Sequence, residues 1–195
     1  VDLVNVNTRE VQMRALSDPE LYELEMERIF GKIWVFLGHE SEIPNSGDFV
    51  TRDMGSDSVL VTRDKSGEVH VLLNLCTHRG MRVSTLDAGN TQIHTCIYHG
   101  WAFRPNGAFL GAPVEKETMH GKMMSKEELG LNKARVTLYG GLIFATWNID
   151  GPSFEEFLGD AKWYYDILFK RTDKGMEVLG PPQRFTVRAN WKAAG

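Results

Sequence analysis

Cysteine is scarce in this sequence: there are two among 195 residues, Cys76 and Cys96. A scaffold held by many disulfides is therefore excluded. No apolar run approaches the roughly 20 residues that a membrane-spanning helix needs. The opening stretch VDLVNVNTREVQ lacks the basic-then-apolar layout of an export signal. These absences lead to the expectation of a cytoplasmic protein with no membrane contact, in a compartment where a lone disulfide does not persist. Positive charge is also short, since 22 Lys and Arg against 26 Asp and Glu leave a net charge of −4. Nucleic acid, whose phosphates call for a basic face, is excluded as a partner on that ground. Internal repeats and low-complexity tracts are missing as well. What remains is an ordinary globular composition, 42% hydrophobic and 25% charged, in a chain long enough to bury a sizeable core.

Local patterns divide the chain. SDPELYELEMERIFG predicts a helix: Ser17 or Asp18 caps it, Pro19 fits its first turn, acids crowd its positive end and Gly31 closes it. IWVFLG, GDFVTRD, DSVLVTRD and EVHVLLNL are short, rich in β-branched and aromatic residues, and separated by turn formers. DKSGE and RPNGAF supply hairpin turns, the second through Asn106 and Gly107, and ARVTLYGGLIFATWN reads as strand broken at Gly140 and Gly141. Residues 40–150 thus predict an antiparallel β domain. A helix follows over 153–170, opened by a Ser153–Glu156 capping box, with Phe154, Phe157, Leu158, Ala161, Tyr165 and Leu168 on one core-facing side. MEVLGPPQRFTVRANWK reads as an extended stretch entering a new sheet, and EKETMHGKMMSKEELG as a polar, solvated loop.

The chemistry is concentrated in LCTHRGMRVS and TCIYHGW. Cys76 and His78 are separated by one residue, Cys96 and His99 by two, and the two pairs by seventeen. Each pair stands where a predicted strand gives way to a glycine-containing loop, so two loops offer one thiolate and one imidazole each. Three readings compete: a disulfide or buried thiols with bystander histidines, a tetrahedral zinc site, and a Rieske 2Fe–2S cluster with two Cys on one iron and two His on the other. Zinc is disfavoured because the cysteines are not paired along the chain as in zinc fingers, and because a domain of this size needs no metal to fold. His39, His70, His94 and His120 lack ligand spacing and read as structural or surface residues.

The segment CTHRGM…CIYHGW resembles the Rieske motif of aromatic-ring-hydroxylating dioxygenase large (alpha) subunits. IFGKIWVFLGHESEIPNSGDF before it, and YGGLIFATWN and ANWKAAG after it, extend the resemblance over nearly the whole chain. Thr77 departs from it, standing where many relatives carry Arg. Met81 and Tyr98 occupy the positions at which respiratory Rieske proteins place two further cysteines, so the resemblance is to the oxygenase-linked type.

That resemblance implies an α+β fold: an antiparallel β Rieske domain over 40–152, preceded by a helix and strand segment over 1–39, and followed over 153–195 by the start of an incomplete catalytic domain. It implies that Cys76, His78, Cys96 and His99 are the cluster ligands. Two thiolates and two neutral imidazoles leave the oxidised cluster without net charge, which eases its reduction relative to a four-cysteine centre. Gly80 and Gly100 would let backbone N–H groups approach the sulfurs, Trp101 would pack on the cluster loop, and Arg79, Arg82 and Arg104 would lie close by.

The implied partners are a ferredoxin and/or reductase delivering electrons from NADH, a beta subunit, two further alpha subunits in a trimer, an aromatic hydrocarbon and O2. A mononuclear non-haem Fe(II), held by two His and a carboxylate, would cis-dihydroxylate the ring in the full-length protein. Its ligands follow the NWK segment in relatives and are not in this sequence. A Rieske monooxygenase or demethylase, and a stand-alone electron-transfer module, are the alternatives.

Overall fold

The alternation of side chains along Asp57–Arg63 organises the molecule. In the computed structural model, which describes residues 3–113 and 125–194, this segment is a strand whose middle five residues are all buried. His120, and residues 115–124 of the expected polar loop, lie outside the described residues. Naming the elements in order, β1 (Val4–Asn5), β2 (Glu10–Val11), α1 (Arg14–Ser17) and α2 (Pro19–Glu25) lead to β3 (Val35–His39). Then come β4 (Asp48–Met54), β5 (Asp57–Arg63), β6 (Val69–Leu73), β7 (Ala88–Asn90), β8 (His94–Thr95), β9 (Ala102–Phe103) and β10 (Phe109–Gly111). β11 (Arg135–Tyr139), β12 (Leu142–Thr146), α3 (Phe154–Leu158) and α4 (Lys162–Phe169) follow.

All pairings are antiparallel, in sheets ordered β6-β5-β4-β7, β11-β12-β3 and β10-β9-β8, with a short β1-β2 ladder besides. Because side chains alternate across a sheet, β4, β5 and β6 feed two cores. Val50, Val59, Val61 and Val71 face one side and pack with Leu37, Ile43, Ile143 and Ala145. Phe49, Leu60 and Leu72 face the other, where they meet Phe103, Phe109, Trp101, Cys76 and Cys96. Each such aliphatic side chain contributes about 1.5–3 kcal/mol by leaving water. The site is therefore built on one wall of a central sheet whose opposite wall is tied to the rest of the fold.

Turn chemistry follows the residues. Both early hairpins turn through a glycine in the left-handed region, Gly67 at φ +87 and Gly107 at φ +81. In each, the glycine N–H donates three residues back, to Asp64 or Arg104. The β11–β12 turn needs two such residues in a row, and Gly140 (φ +58) and Gly141 (φ +84) supply them.

The N-terminal helix opens as expected, Asp18 accepting from the Glu20 N–H with Pro19 in the first turn. It ends differently, widening to a π-helical turn over Met26–Phe30 in which the Gly31 N–H reaches back to Met26 O. The 153–170 helix has its capping box at Ser153 and Glu156 but breaks at Gly159, φ +49. A 3-10 turn, Gly159–Ala161, then resets the helical phase. Consequently Phe154, Leu158, Tyr165 and Phe169 pack on Trp34, Tyr139, Leu142 and Phe144, while Phe157, Ala161 and Leu168 of the expected stripe face solvent. The stretch 176–190 forms no strand among the described residues, contrary to expectation. It is held instead by side-chain bonds, Val178 N–H to Ser41 Oγ and Arg184 to Asp87 and Thr51 O. Trp191 and Lys192 then reach back to Glu25. Among the described residues no helix is long and apolar enough to cross a membrane.

Candidate metal centre

Two loops project from the second core, and they are closed by the same pair of backbone bonds. In the first, which follows β6, the Cys76 N–H donates to Met81 O (2.8 Å) and the Gly80 N–H to Cys76 O (2.8 Å). In the second, between β8 and β9, the Cys96 N–H donates to Trp101 O (2.8 Å) and the Gly100 N–H to Cys96 O (2.9 Å). Both glycines are left-handed, at φ +69 and +71. Cysteine is thus first, glycine fifth and the closing carbonyl sixth in two copies of one turn. The histidines are offset: His78 is third in its loop, whereas His99 is fourth and Tyr98 takes the third place. The glycine N–H groups bind carbonyls and do not face sulfur as the sequence suggested; the N–H groups of His78 and Arg79 face the Cys76 sulfur instead.

The four candidate ligands come together in pairs. Cys76 and Cys96 are buried and not disulfide-bonded, with their thiols within hydrogen-bond reach of each other. Burial pushes the Cys76 thiol up to about 11, with the neighbouring Cys96 adding to the rise and the two N–H groups opposing it. The His78 and His99 rings meet edge to face, centroids 4.7 Å apart. Trp101, 3% exposed, stacks on His78 at 4.8 Å with 5° between the planes, whereas His99 is exposed and lies against Tyr98 at 3.8 Å. Four donors on one zinc would all lie within about 4 Å of one another. Among the described residues, the group of three or more donors that meets even a 4.8 Å limit is Asp64, Glu68 and His70. The two sulfurs thus lie beside each other, and so do the two rings.

The remaining expectations divide. Arg79 and Arg82 are exposed on the first loop, where Leu75 and Arg82 form a bridge. Arg104 lies at the turn joining β9 to β10, the opposite end of that two-residue strand from the second loop. His70 pairs with Asp64 (2.9 Å) at the far end of the β5–β6 hairpin. Burial alone would raise the Asp64 carboxyl, but bonds from Ser66, His70 and the Glu68 N–H outweigh it and hold it at about 2. His39 is buried, its Nδ1 bonded to Ser41.

Asn74, which the sequence did not single out, and Thr77 secure the first loop. Asn74 is fully buried; its amide donates to Ser84 O (2.8 Å) and Ser58 Oγ (3.2 Å), and its carbonyl oxygen accepts from the Ser84 N–H (2.9 Å). It thereby staples the chain entering the loop to the chain leaving it. Thr77, at the departure from the family pattern, donates to Leu129 O (2.7 Å) and ties the loop to a segment far along the sequence. Neither contact has a local signature, since both partners are brought in by the fold.

His94, 3% exposed, opens the strand before Cys96, and burial pushes its imidazole down to about 4. Below its ordinary value of 6.5 the unfolded chain takes up a proton that the folded one refuses until about pH 4. Its contribution to stability is therefore complete above pH 6.5 and is lost between there and about pH 4, by at most about 1.4 kcal/mol per unit. His94→Gln should flatten the fall in urea midpoint between about pH 7 and pH 5; an unaltered slope would contradict this assignment.

The family model of the Rieske [2Fe-2S] domain matches residues 33–133. Biphenyl 2,3-dioxygenase subunit alpha of Rhodococcus jostii (strain RHA1) is 45% identical over 193 residues, 99% of this chain and 42% of the relative. N,N-dimethyl phenylurea N-demethylase subunit alpha of Sphingobium sp. (strain YBL2) is 46% identical over 175 residues, 90% of this chain and 38% of the relative. Naphthalene 1,2-dioxygenase from Rhodococcus sp., solved with indole bound, is similar in structure with a TM-score of 0.89 and 43% identity, covering 94% of this chain and 42% of that one. The chain thus spans about two fifths of the length of these relatives.

Proposed function

Because the chain belongs to the Rieske [2Fe-2S] domain family, we propose that Cys76 and Cys96 hold one iron of a 2Fe–2S cluster and His78 and His99 the other, in the electron-accepting part of an aromatic-ring-hydroxylating dioxygenase alpha subunit. The observation that carries this reading is the pairing of thiol with thiol and ring with ring on two equivalent loops. When bound, such a cluster supplies one-electron transfer. The chain's own groups prepare for it: the N–H groups of His78 and Arg79 favour the Cys76 thiolate over its thiol, and each histidine keeps one ring nitrogen for a hydrogen bond outward. His99, being exposed, offers that nitrogen at the surface.

The same reading divides the chain into 1–39, a Rieske domain over 40–152, and the start of a catalytic domain over 153–195, with β3 hydrogen-bonded to β12 across the first boundary. It assigns to the full-length protein a mononuclear non-haem Fe(II), O2 and an aromatic substrate, with ferredoxin or reductase, beta subunit and two further alpha subunits as partners, in the cytoplasm. Support for the dioxygenase form comes from the biphenyl and naphthalene relatives. The demethylase of similar identity supports an N-demethylating alternative. Formaldehyde release from N-methyl substrates, against cis-dihydrodiol formation from aromatic hydrocarbons, distinguishes the two.

The reduced protein should give the rhombic EPR signal of mixed nitrogen and sulfur ligation, with about two irons per chain. A colourless protein with stoichiometric zinc would overturn the reading. For the electron donor, Arg79→Ala and Arg82→Ala should slow association with an acidic ferredoxin several-fold at low salt, an effect fading as the Debye length shrinks. Arg104→Ala should act in the same direction; unchanged, salt-independent rates in the three variants would mean that the loop is not the docking patch.

A further inference from the structure

The two cluster loops are equivalent in backbone but not in how they treat their histidines, and Trp101 makes the difference. Its carbonyl closes the second loop through the Cys96 N–H, while its ring crosses to the first loop and lies flat on His78, 4.8 Å away and 5° from parallel. At the equivalent position of the first loop stands Met81, a flexible side chain, half-buried in the same core. Trp101 itself has little freedom: it is 3% exposed, with Phe109 at 4.8 Å and 57° and Phe103 at 6.5 Å and 46°. His99 lies instead against Tyr98, at 3.8 Å but tilted by 34°, and that ring is itself 57% exposed.

We propose that Trp101 is the positioning residue that sets the ring plane of His78 from across the two loops, leaving His99 as the orientationally adaptable ligand. A ligating imidazole attached through one nitrogen can rotate about that bond, and what surrounds the ring decides its angle and the direction of its outer N–H. A rigid aromatic plane parallel to the imidazole permits one family of angles; an aliphatic side chain of similar volume permits many. The two nitrogen ligands are consequently inequivalent before any partner binds, and the indole of Trp101 contributes to the difference.

This inference rests on the cluster reading, and its test separates the two. In the full-length, iron-loaded and reduced protein, hyperfine spectroscopy of the coordinated nitrogens resolves the two histidines, and a spectroelectrochemical titration gives the midpoint potential. Wild-type protein without coupled nitrogens would defeat the cluster reading itself. With that reading standing, Trp101→Leu should shift one nitrogen coupling, leave the other in place and displace the potential. Trp101→Phe, which restores a flat face, should return both readouts toward wild type. Phe109→Leu, which loosens Trp101 without touching His78, should displace the same coupling to a smaller extent and leave the other unchanged. Full iron content with unaltered couplings and potential in Trp101→Leu would overturn the proposal. If that variant holds no iron, Trp101→Met, which keeps apolar volume without a flat face, takes its place: displacement at one nitrogen supports the assignment, and none refutes it.

Discussion

Cys96→Ala should take the iron content from about two per chain to nearly none and remove the visible absorbance of the protein, while its β-sheet circular dichroism persists. The loss should be complete because the sulfur pair belongs to one metal in the proposed arrangement, and an alanine there leaves that iron with a single protein ligand. Water cannot substitute easily, since Cys96 is 2% exposed and belongs to the same buried cluster as Phe103, Trp101 and Leu131. Persistence of the fold follows from two features that do not involve metal. Each loop is closed by two backbone hydrogen bonds of 2.8–2.9 Å. The metal-free thiol of Cys76 is kept neutral by burial, so no uncompensated charge is left in the core. Iron and absorbance near wild-type levels in Cys96→Ala would remove this residue from the ligand set. Loss of sheet signal together with iron would show instead that the metal holds the domain together.

How much of this could be read from the residues depends on the range of the interaction concerned. The strands β4, β5 and β6 were visible because period-two alternation and β-branched content are local, and because the turns between them carry their own glycines. The four candidate ligands stood out for the same reason: their spacing within each loop is short, and the fold brings the two loops together. The 153–170 helix was visible as helix, but not its phase. Gly159 looked like one residue in an amphipathic run, whereas its left-handed conformation ends α3 and turns the following residues to a new face. The stretch 176–190 has strand-like composition but finds no partner strand among the described residues, and strand composition alone makes no ladder. The contacts of Asn74 and Thr77 are not legible in the sequence because each depends on where a distant segment lies. Asn74 binds ten residues on and Thr77 fifty-two.

Gly141→Ala should be among the most destabilising single-methyl additions in the chain, by about 2–5 kcal/mol, although it lies away from the candidate ligands. Two effects add. At φ +84 an L side chain is strained, which costs about 1–2 kcal/mol. The new Cβ would also stand 2.1 Å from Nε2 and 2.7 Å from Cε1 of His39, which must move. That ring cannot swing aside cheaply. It is 6% exposed, and its Nδ1 is tied to Ser41 through the hydroxyl at 2.9 Å and the N–H at 3.1 Å. Nor can the turn retreat, because the Glu40 N–H donates to Gly141 O at 2.8 Å and Leu142 is paired with His39. Overpacking of this kind adds about 1–3 kcal/mol. Gly67→Ala is the control, with nearly the same backbone angle, φ +87, and nothing within 4 Å of the added methyl; it should bear the conformational cost alone. Urea unfolding of the two variants measures the difference, which should be at least about 1 kcal/mol. Equal destabilisation would show that the His39 ring yields freely. Because the turn belongs to the sheet on the far side of the central one, folded Gly141→Ala should retain its full complement of iron.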